Sequence, residues 1–582
     1  MRHLFQYLKA YKKESIISPL FKLLEAGFDL FVPIVIAAII DRGIAQEDKG
    51  FVWGMTALLV LLALIGLSCS LIAQYFAAKA SVGMASDLRH DLFAKLQSFS
   101  YADTDKIGVA TMITRLTSDI NQLQAGVNWT LRLFLRSPVI VLGAVICAFF
   151  IDPKIAIVFA VLVPILALVV FFILLFTAPL YTKAQGKLDS VTQLTRENLN
   201  GARVVRAFCR EQPEIDAFEQ ANRTHVRSQF FVGRISALLN PLTYLLINLG
   251  IIVLLQVGAI RVNVGSLTQG QVVALFNYMS QILIELIKLA NTTITVTKSI
   301  ACGNRIFTVL DLKTGLDDSA QQDNPVQTAE TGDEAVSFRH VSLTYDGAAA
   351  PSLNEINFTA MQGDTVGIIG GTGCGKSSLV SLIARFYDVT QGQVLVNGRD
   401  VRTMDPETLR RKIGFVPQKA VLFKGTVRSN LLWGKEDATD EELWEALTLA
   451  QAADFIRERP LGLDSEVEAG GKNFSGGQRQ RLTIARALVR KPGILILDDS
   501  SSALDFATDA RLRRALSSLP YHPTLFLISQ RTSSIRSADR ILVLEHGNLV
   551  ASGTHSELLK TSDVYREIHS SQTKAEAEGG LE

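Results

Sequence analysis

The first half of the chain contains six long apolar stretches, and each approaches the roughly 20 residues that a helix needs to cross the hydrocarbon core of a bilayer. The stretches cover residues 16–40, 52–78, 133–151, 155–181, 238–260 and 272–294. The fourth has no charged residue, whereas the first, fifth and sixth have polar interruptions. The pattern predicts an all-α domain of six transmembrane helices over residues 1–310.

The distribution of charge around these stretches predicts their orientation. Basic residues precede the first span, which favours a cytosolic amino terminus, and an even number of spans returns the chain to the cytosol. The external connections (41–51, 152–154 and 261–271) are then short, whereas the internal ones (79–132 and 182–237) are long and rich in charge. We therefore expect helices that project into the cytosol, and an amphipathic helix over residues 1–14 on the membrane surface.

The pattern changes beyond the last span. Residues 311–334 have few large apolar side chains and are typical of a linker. Further on, short β-rich runs at 336–338, 365–369, 393–396, 494–497 and 524–528 alternate with helical stretches. This alternation predicts a soluble α/β domain over residues 335–570. Residues 571–582 are expected to form a polar, acidic tail.

Composition agrees with a chain that lies partly in lipid. Of the 582 residues, 48% are hydrophobic and only 20% are charged, and the mean hydropathy is positive. The net charge of +2 gives no indication of a nucleic-acid partner. The five cysteines have no paired spacing, so neither a disulfide framework nor a zinc site is expected.

A glycine-rich stretch between a predicted strand and an apolar helix fits the phosphate-binding loop pattern. In such a loop, glycines let backbone N–H groups turn towards phosphates, the lysine adds a positive charge, and the hydroxyl that follows binds Mg²⁺. The cysteine of the loop is expected to fill space rather than to react. The candidate nucleotide ligands here are Gly370, Gly371, Thr372, Gly373, Cys374, Gly375, Lys376, Ser377 and Ser378.

A second phosphate-site element follows in the order expected. The apolar strand 494–497 leads into Asp498, whose carboxylate is a candidate Mg²⁺ ligand together with Ser377. An apolar strand that ends in an acid is a common pattern. The pattern indicates a Mg²⁺ site here because it follows the phosphate-binding loop in the expected order.

The segment Phe474-Ser475-Gly476-Gly477-Gln478-Arg479-Gln480-Arg481 resembles the signature sequence of the ABC transporter family. The resemblance implies that Ser475, Gly476, Gly477 and Gln478 open a helix whose N–H groups face the γ-phosphate of an ATP on an opposing subunit. Six spans followed by one ATPase domain look like a half-transporter of the exporter type. Two bound ATP molecules with Mg²⁺ would then lie at a dimer interface.

The resemblance also implies roles for single positions. Tyr345 matches the aromatic residue that stacks on adenine, although an isolated tyrosine more often serves packing. Gln418 matches the glutamine that touches Mg²⁺ and water, and Asp505 ends the 502–505 loop that joins the two ATP sites. The tips of the internal connections, residues 103–108 and 203–211, would be coupling helices, with solvated charged helices as the alternative.

Two positions depart from the family pattern. Asp499 stands where the family has a catalytic glutamate, and Gln530 stands where it has a switch histidine. Together they indicate that this chain hydrolyses its own ATP slowly. The expected function is ATP-driven export of hydrophobic or amphipathic compounds, of the multidrug type, across the plasma membrane. The expected partner is a second half-transporter with the intact glutamate and histidine.

Three alternatives stay open: a homodimer, an exporter of lipid or peptide, and a regulatory nucleotide-binding membrane subunit. Substrate contacts are hardly predictable, because the polar residues within the spans also suit pairing between helices. Lys22 with Glu25, and Glu285 with Lys288, have the spacing of pairs on one helix face. Asp29 and Asn248 have no such neighbour and are the better cavity candidates.

Overall fold

A computed structural model describes residues 2–312, 333–500 and 502–579. It divides the chain into two compact units. The first contains residues 1–97 and 110–312, and the second contains residues 98–109 and 313–582. The short segment 98–109 therefore belongs with the ATPase half of the sequence, although it lies between two predicted spans. The predicted linker falls almost wholly outside the described residues.

The first unit is helical. Within the described residues, six helical segments are long and apolar enough to cross a membrane: Lys12–Ile44, Lys49–Gln97, Val109–Ile151, Pro153–Asn200, Glu211–Asn263 and Gln269–Leu310. This confirms the six predicted spans. The individual α-helices are α1 (Arg2–Ala10), α2 (Lys12–Ala38), α3 (Lys49–Gln97), α4 (Tyr101–Ile107, in the second unit), α5 (Val109–Thr114), α6 (Ile120–Trp129), α7 (Arg136–Ile151), α8 (Pro153–Asn200), α9 (Ala202–Ala207), α10 (Glu211–Ala237), α11 (Leu239–Asn263) and α12 (Gln269–Leu310).

Several helices are much longer than a bilayer is thick. Helix α3 has 49 residues, and a rise of about 1.5 Å per residue makes it about 74 Å long, against a hydrocarbon core of about 30 Å. Side chains of the connections cap the helices that follow them: Asp152 accepts hydrogen bonds from the backbone N–H groups of Lys154 and Ile155. The spans thus continue as helices well beyond their apolar stretches.

The amino-terminal helix is shorter than the predicted amphipathic segment. Helix α1 ends at Ala10, and α2 begins at Lys12, four residues before the predicted span. The hydroxyl of Tyr7 donates to Asp91 at 2.8 Å, and that of Tyr11 donates to Asp87 at 3.0 Å. Helix α1 and the residue after it are therefore held against α3 by one side-chain hydrogen bond each.

The second unit contains an α/β fold. In its described part, a six-stranded sheet has the order β12-β11-β3-β10-β9-β6, a four-stranded sheet has the order β2-β1-β4-β5, and β7 pairs with β8. The strands are β1 (Glu334–Leu343), β2 (Leu353–Met361), β3 (Thr365–Gly370), β4 (Gln391–Val396), β5 (Arg399–Asp400), β6 (Ile413–Val416), β7 (Gly425–Thr426), β8 (Glu466–Val467), β9 (Ile494–Asp498), β10 (Thr524–Ile528), β11 (Arg540–Glu545) and β12 (Asn548–Gly553). All five predicted β-rich runs lie in strands.

Parallel pairing explains where the site lies. Strand β10 pairs in parallel with both β3 and β9, so that Ile528 lies opposite Ile368 on one side and Asp498 on the other. The carboxyl ends of these buried strands therefore meet at one edge of the sheet, where open α/β sheets bind ligands. Helices surround the sheets: α13 (Lys376–Ile383), α14 (Pro406–Arg411), α15 (Val427–Leu432), α16 (Asp440–Leu449), α17 (Ala453–Arg457), α18 (Gly476–Val489), α19 (Phe506–Ser517), α20 (Thr532–Ile535), α21 (His555–Thr561) and α22 (Asp563–Gly579).

The carboxyl-terminal helix α22 runs without a break across the predicted start of the polar tail at residue 571. Tyr565 near its beginning is fully buried and packs with Ile369, Ile541 and Leu558. The polar composition of the tail gave no indication of a helix. The helix extends into the tail because it begins in a segment that is anchored in the core.

Candidate functional site

The phosphate-binding loop connects β3 to α13 at the carboxyl edge of the large sheet. Gly375 adopts a φ of 99°, and a Cβ at this position would lie 2.7 Å from the carbonyl oxygen of Ser352. Only glycine therefore fits both the backbone and the space here. Cys374 is buried in the hydrophobic core next to the loop, in agreement with a space-filling role.

The side chains of Lys376 and Ser377 both have hydrogen-bond partners within the protein. The Lys376 ammonium donates to the carbonyl oxygens of Gly370 at 3.0 Å and Gly371 at 2.6 Å. The Ser377 hydroxyl donates to Asp498 at 3.0 Å. Burial raises the pKa of Asp498, and the Ser377 hydrogen bond and the charge of Lys376 oppose that rise. The structure thus brings together three residues that the sequence predicted.

These residues fit magnesium and a nucleotide phosphate. Around Gly371 and Gly373 an added Cβ would meet no atom within 4 Å, so the face of the loop is open. The hydroxyl of Ser377 and the carboxylate of Asp498 are oxygen donors of the kind that Mg²⁺ prefers, and they lie together at the end of this loop. Ser377 and Asp498 would hold the ion, which neutralises phosphate charge when bound.

Asp499 lies beside this site in an unusual backbone conformation. Its φ is 43°, a left-handed value that aspartate tolerates better than most residues. Its Oδ2 accepts hydrogen bonds from the side-chain amides of Gln418 at 3.4 Å and Gln530 at 3.3 Å. Burial raises the pKa of Asp499, while the Gln418 amide and the Lys376 charge lower it. Asp499 and Gln530, the two residues expected to depart from the family pattern, are therefore in direct contact.

The segment after Gln530 is held by the carboxyl-terminal helix. The Gln572 amide donates to the Gln530 carbonyl oxygen at 2.5 Å and accepts from the Thr532 backbone N–H at 2.8 Å and from its hydroxyl at 2.9 Å. The Arg531 guanidinium stacks on the ring of Phe506, 4.5 Å from its centroid. Sequence reasoning missed Gln572, because it lies in a stretch whose composition indicates a solvated tail.

The signature residues form the beginning of helix α18. Ser475 caps the helix: its hydroxyl accepts from the Gln478 backbone N–H, and the Gln478 side chain accepts from the Ser475 backbone N–H. Within the described residues, no hydrogen bond of residues 475–478 reaches the phosphate-binding loop. Ser475 and Gly476 are exposed. The start of α18 is therefore accessible and is not hydrogen-bonded to this chain's own phosphate-binding loop.

The signature lies against the 502–505 loop. A Cβ on Gly477 would lie 2.9 Å from the Ala503 carbonyl oxygen. The Ser502 hydroxyl donates to the Asp499 carbonyl oxygen at 2.8 Å. Asp505 caps α19, and hydrogen bonds from Thr508 lower its pKa. The 502–505 loop thus contacts both the backbone of Asp499 and the signature residue Gly477.

Tyr345 lies next to the phosphate-binding helix. Its hydroxyl donates to Ser378 at 2.8 Å, and its ring packs edge-on against Tyr387. The Tyr387 hydroxyl in turn donates to Asp105 of α4 at 2.7 Å, and this bond together with burial raises the pKa of Tyr387. Tyr101 of α4 packs on Phe386, with 4.5 Å between ring centroids. The predicted tip 103–108 therefore packs within the ATPase unit, directly beside Tyr345.

The second predicted tip has a different environment. Helix α9 covers most of it, and Val204 and Phe208 are 61% and 74% exposed. The helices α8 and α10 that carry α9 also expose apolar residues near it, among them Leu199 and Ile215. A face of this kind is typical of a surface that another protein covers.

An ionic network joins the membrane helices. Arg136 of α7 contacts Asp29 of α2 at 2.7 Å and Glu285 of α12 at 2.6 Å. The predicted pairs form, since Lys22 lies 2.6 Å from Glu25 and Lys288 lies 3.0 Å from Glu285. The three cations and three carboxylates balance, which lowers the cost of placing them among apolar helices.

Asp29, a cavity candidate because it has no partner on its own helix face, is paired in the structure, and 42% of its side chain stays exposed. Its partner Arg136 comes from another helix, so spacing along α2 could not reveal the pair. The charge of Arg136 within the third predicted span was the available signal. Asn248 keeps an exposed side chain, and it forms no hydrogen bond within the part of the chain that the structure describes.

Comparisons with known proteins agree with this architecture. Residues 15–286 match the family model of the ABC transporter transmembrane region, and residues 353–502 match the ABC transporter family model. An uncharacterized ABC transporter ATP-binding protein of Mycobacterium tuberculosis is 36% identical over 99% of both chains. The ATP-dependent lipid A-core flippase of Escherichia coli K12 is 30% identical over 98% of this chain and 97% of that protein.

A solved structure of a bacterial Atm1-family ABC exporter with ATP bound superimposes with a TM-score of 0.80 and 25% identity, and covers 96% of this chain and 98% of that one. The similarity extends over both units and over the order in which the membrane domain and the ATPase domain follow each other. The chain therefore belongs to the ABC transporter family, as an exporter half-transporter whose multi-pass membrane domain is fused to its ATPase domain.

Proposed function

We propose that the chain is one half of a heterodimeric exporter whose own ATP site is degenerate and whose signature completes the competent site of its partner. The amino terminus and the ATPase domain lie in the cytoplasm, and the spans lie in the plasma membrane. ATP, with Mg²⁺ held by Ser377 and Asp498, binds at this chain's phosphate-binding loop. The partner is a second half-transporter that carries the family's glutamate and histidine.

The contact among Asp499, Gln418 and Gln530 is the observation that carries the proposal. A residue that orients an attacking water needs a carboxylate that reaches the water and is free to accept its proton. The Asp499 carboxylate is one methylene shorter than glutamate, and its Oδ2 is tied to two amides. A displacement of about 1 Å can cost roughly 10²-fold in rate. Hydrolysis at this site is therefore slow.

Gln530 reinforces this effect. An amide can hydrogen-bond a phosphate oxygen, but it has neither the positive charge nor the titratable proton of an imidazole. In this structure its amide is directed to Asp499. Lys376 and Ser377 keep the residue types of the phosphate-binding loop pattern. The site therefore retains what binding requires and lacks two groups that hydrolysis requires.

The intact signature supports a role for this chain in the partner's site. Residues 475–477 keep the capped helix start, whose N–H groups and helix dipole favour a phosphate. The exposed apolar side chains of α8, α9 and α10 support association with a second half. In the assembled pair, this chain would supply a γ-phosphate contact to a site that hydrolyses.

The transported compounds are proposed to be hydrophobic or amphipathic. The membrane helices expose many large apolar side chains, and the charges among them are neutralised in the Arg136 network. A lipid substrate is the second candidate, because the Escherichia coli relative is described as a lipid A-core flippase. Uptake of a fluorescent amphipathic dye into inverted vesicles, measured against flipping of a fluorescent phospholipid, separates the two.

The test of the degenerate site uses the assembled pair in lipid vesicles. Replacing Asp499 by Asn should change ATP turnover of the pair by less than about twofold, because Asp499 contributes little to the hydrolysis carried out by the pair. Replacing the partner's corresponding glutamate by glutamine should abolish turnover. Equal losses from both substitutions would contradict the proposal and would indicate two working sites.

A further inference from the structure

A basic cleft lies between helices α8 and α10. It has a volume of about 430 Å³ and is lined by Leu180, Lys183, Lys187, Arg227, Ser228, Phe231 and Val232. The lining thus combines three cations with three apolar side chains. Lys187 donates to the Ser228 hydroxyl at 2.5 Å, which ties the two helices together across the cleft.

The cleft lies at the depth of lipid headgroups. Residues 155–182 of α8 carry no charged side chain, and at about 1.5 Å per residue they span about 42 Å, close to a full bilayer with its interfaces. At the far end, Arg261 pairs with Asp152 at 2.8 Å. Lys183 is the first charge after the apolar run, so it emerges at the opposite surface. Leu180 and Phe231 then lie on the hydrocarbon side of the cations.

The cations of the cleft are available to a ligand. Lys183 and Arg227 are exposed, and neither forms a hydrogen bond or an ion pair with any of the residues that the structure describes. By contrast, Arg223 and Arg305 of the same unit are paired with Glu219 and Asp119. Lys183, Lys187 and Arg227 thus bring three positive charges to the cleft. The apolar side chains of Leu180 and Phe231 line the same cleft.

We propose that this cleft binds an anionic phospholipid, whose phosphate contacts Lys183, Lys187 and Arg227 and whose acyl chains lie along Leu180 and Phe231. Basic pockets between membrane helices suit such headgroups because both the charge and the apolar chain are matched. The site lies in the cytoplasmic leaflet, a placement that rests on the proposed orientation of the chain. The lipid would hold α8 and α10 at a fixed depth.

The test places a reporter in the cleft of the full-length chain. A Phe231→Trp variant is reconstituted in phosphatidylcholine nanodiscs with increasing fractions of phosphatidylglycerol that carries brominated acyl chains, and tryptophan quenching is measured. The signal of the parent chain, which has four tryptophans, is subtracted. Half-maximal quenching should need at least about tenfold less brominated phosphatidylglycerol than brominated phosphatidylcholine.

Removal of the cations should remove this preference. Each cation near a membrane surface contributes about fivefold to the affinity for an anionic lipid. Lys183→Ser alone should raise the half-maximal fraction about fivefold, and the triple variant Lys183→Ser, Lys187→Ser, Arg227→Ser should be quenched equally by both lipids. The matched triple variant Arg196→Ser, Arg203→Ser, Arg206→Ser removes three charges elsewhere on the same helical hairpin and should keep the preference.

Other outcomes would overturn the proposal. Equal quenching by the two lipids in the chain with intact cations would mean that the cleft does not select anionic headgroups. Displacement of the brominated lipid by inorganic phosphate would indicate a site for a free anion instead. Absence of quenching by either lipid would mean that a protein surface covers the cleft. None of these readouts depends on ATP turnover, so failure here is distinguishable from failure of the degenerate-site proposal.

Discussion

The phosphate-binding part and the hydrolytic part of the expected ATP site differ in which residue types of the family they retain. On one side, Lys376, Ser377 and Asp498 form an arrangement that suits a phosphate and a divalent cation. On the other side, Asp499 is short and is bound by the amides of Gln418 and Gln530. Under the proposed function, this difference means that binding and hydrolysis of ATP are divided between two chains.

The binding side should be the more sensitive to substitution. Replacing Lys376 by Ala removes the positive charge at the terminal phosphates, and affinity for ATP should fall by about 10²-fold or more, because charge-assisted hydrogen bonds in a protected site are strong. Binding of a fluorescent ATP analogue to the purified chain measures the effect. Lys412→Ala, an exposed lysine at the start of β6, is the control and should bind normally. Unchanged affinity in Lys376→Ala would refute the binding role.

Restoring the family's residues should repair the hydrolytic side. The double change Asp499→Glu with Gln530→His should raise steady-state ATPase activity of the chain alone by about 10- to 10²-fold, because the carboxylate regains its reach and the imidazole its charge. The left-handed backbone at residue 499 opposes part of this gain for the longer side chain. Activity that stays at the starting level would show that the loss of hydrolysis has another cause.

A substitution in the signature should impair ATP hydrolysis at the partner's site more than ATP binding at this chain's own loop. In Gly477→Ala the new methyl group would meet the Ala503 carbonyl oxygen, which displaces either the signature or the 502–505 loop. Turnover of the assembled pair should fall about tenfold, while ATP affinity of this chain's own loop stays within about twofold. Gly493→Ala, where an added Cβ meets no atom within 4 Å, is the control. An equal loss in own-loop affinity would contradict the division of roles.

The smallest effect is expected at Gln572. Replacing it by Ala removes three hydrogen bonds to the segment of Gln530 and Thr532, each worth about 1 kcal/mol before compensation by water. The dissociation rate of ATP should rise about fivefold as this segment loosens. Ser571→Ala, at an exposed neighbouring position, should leave the rate unchanged. A fivefold change in both variants would point to a general loosening of α22 instead.

The linear signals of this sequence predicted most of the architecture. Apolar run length alone located the six spans, because a bilayer imposes a minimum length. The phosphate-binding loop, Asp498 and the signature were recognisable because their chemistry demands fixed residue types at fixed spacing. The contact of Gln530 with Asp499 follows from the parallel pairing of β9 and β10, which the alternation of strands and helices already favoured.

Contacts between distant segments were not predictable. Arg136 pairs with Asp29 and Glu285, which lie 107 and 149 positions away along the chain. Gln572 reaches a segment about 40 positions earlier, and no local pattern indicates which polar residue of a helix faces its own domain. The burial that makes such pairs strong depends on packing, which the one-dimensional pattern does not contain.

The central claim is tested most directly by the nucleotide that the chain retains. The purified chain, in lipid nanodiscs with Mg²⁺ and radiolabelled ATP, is separated from free nucleotide after several minutes, and the bound ATP and ADP are quantified. The account predicts that the bound nucleotide is mostly ATP and that the Lys376→Ala variant retains little of either. Bound nucleotide that is mostly ADP, with continuous release of phosphate, would contradict it.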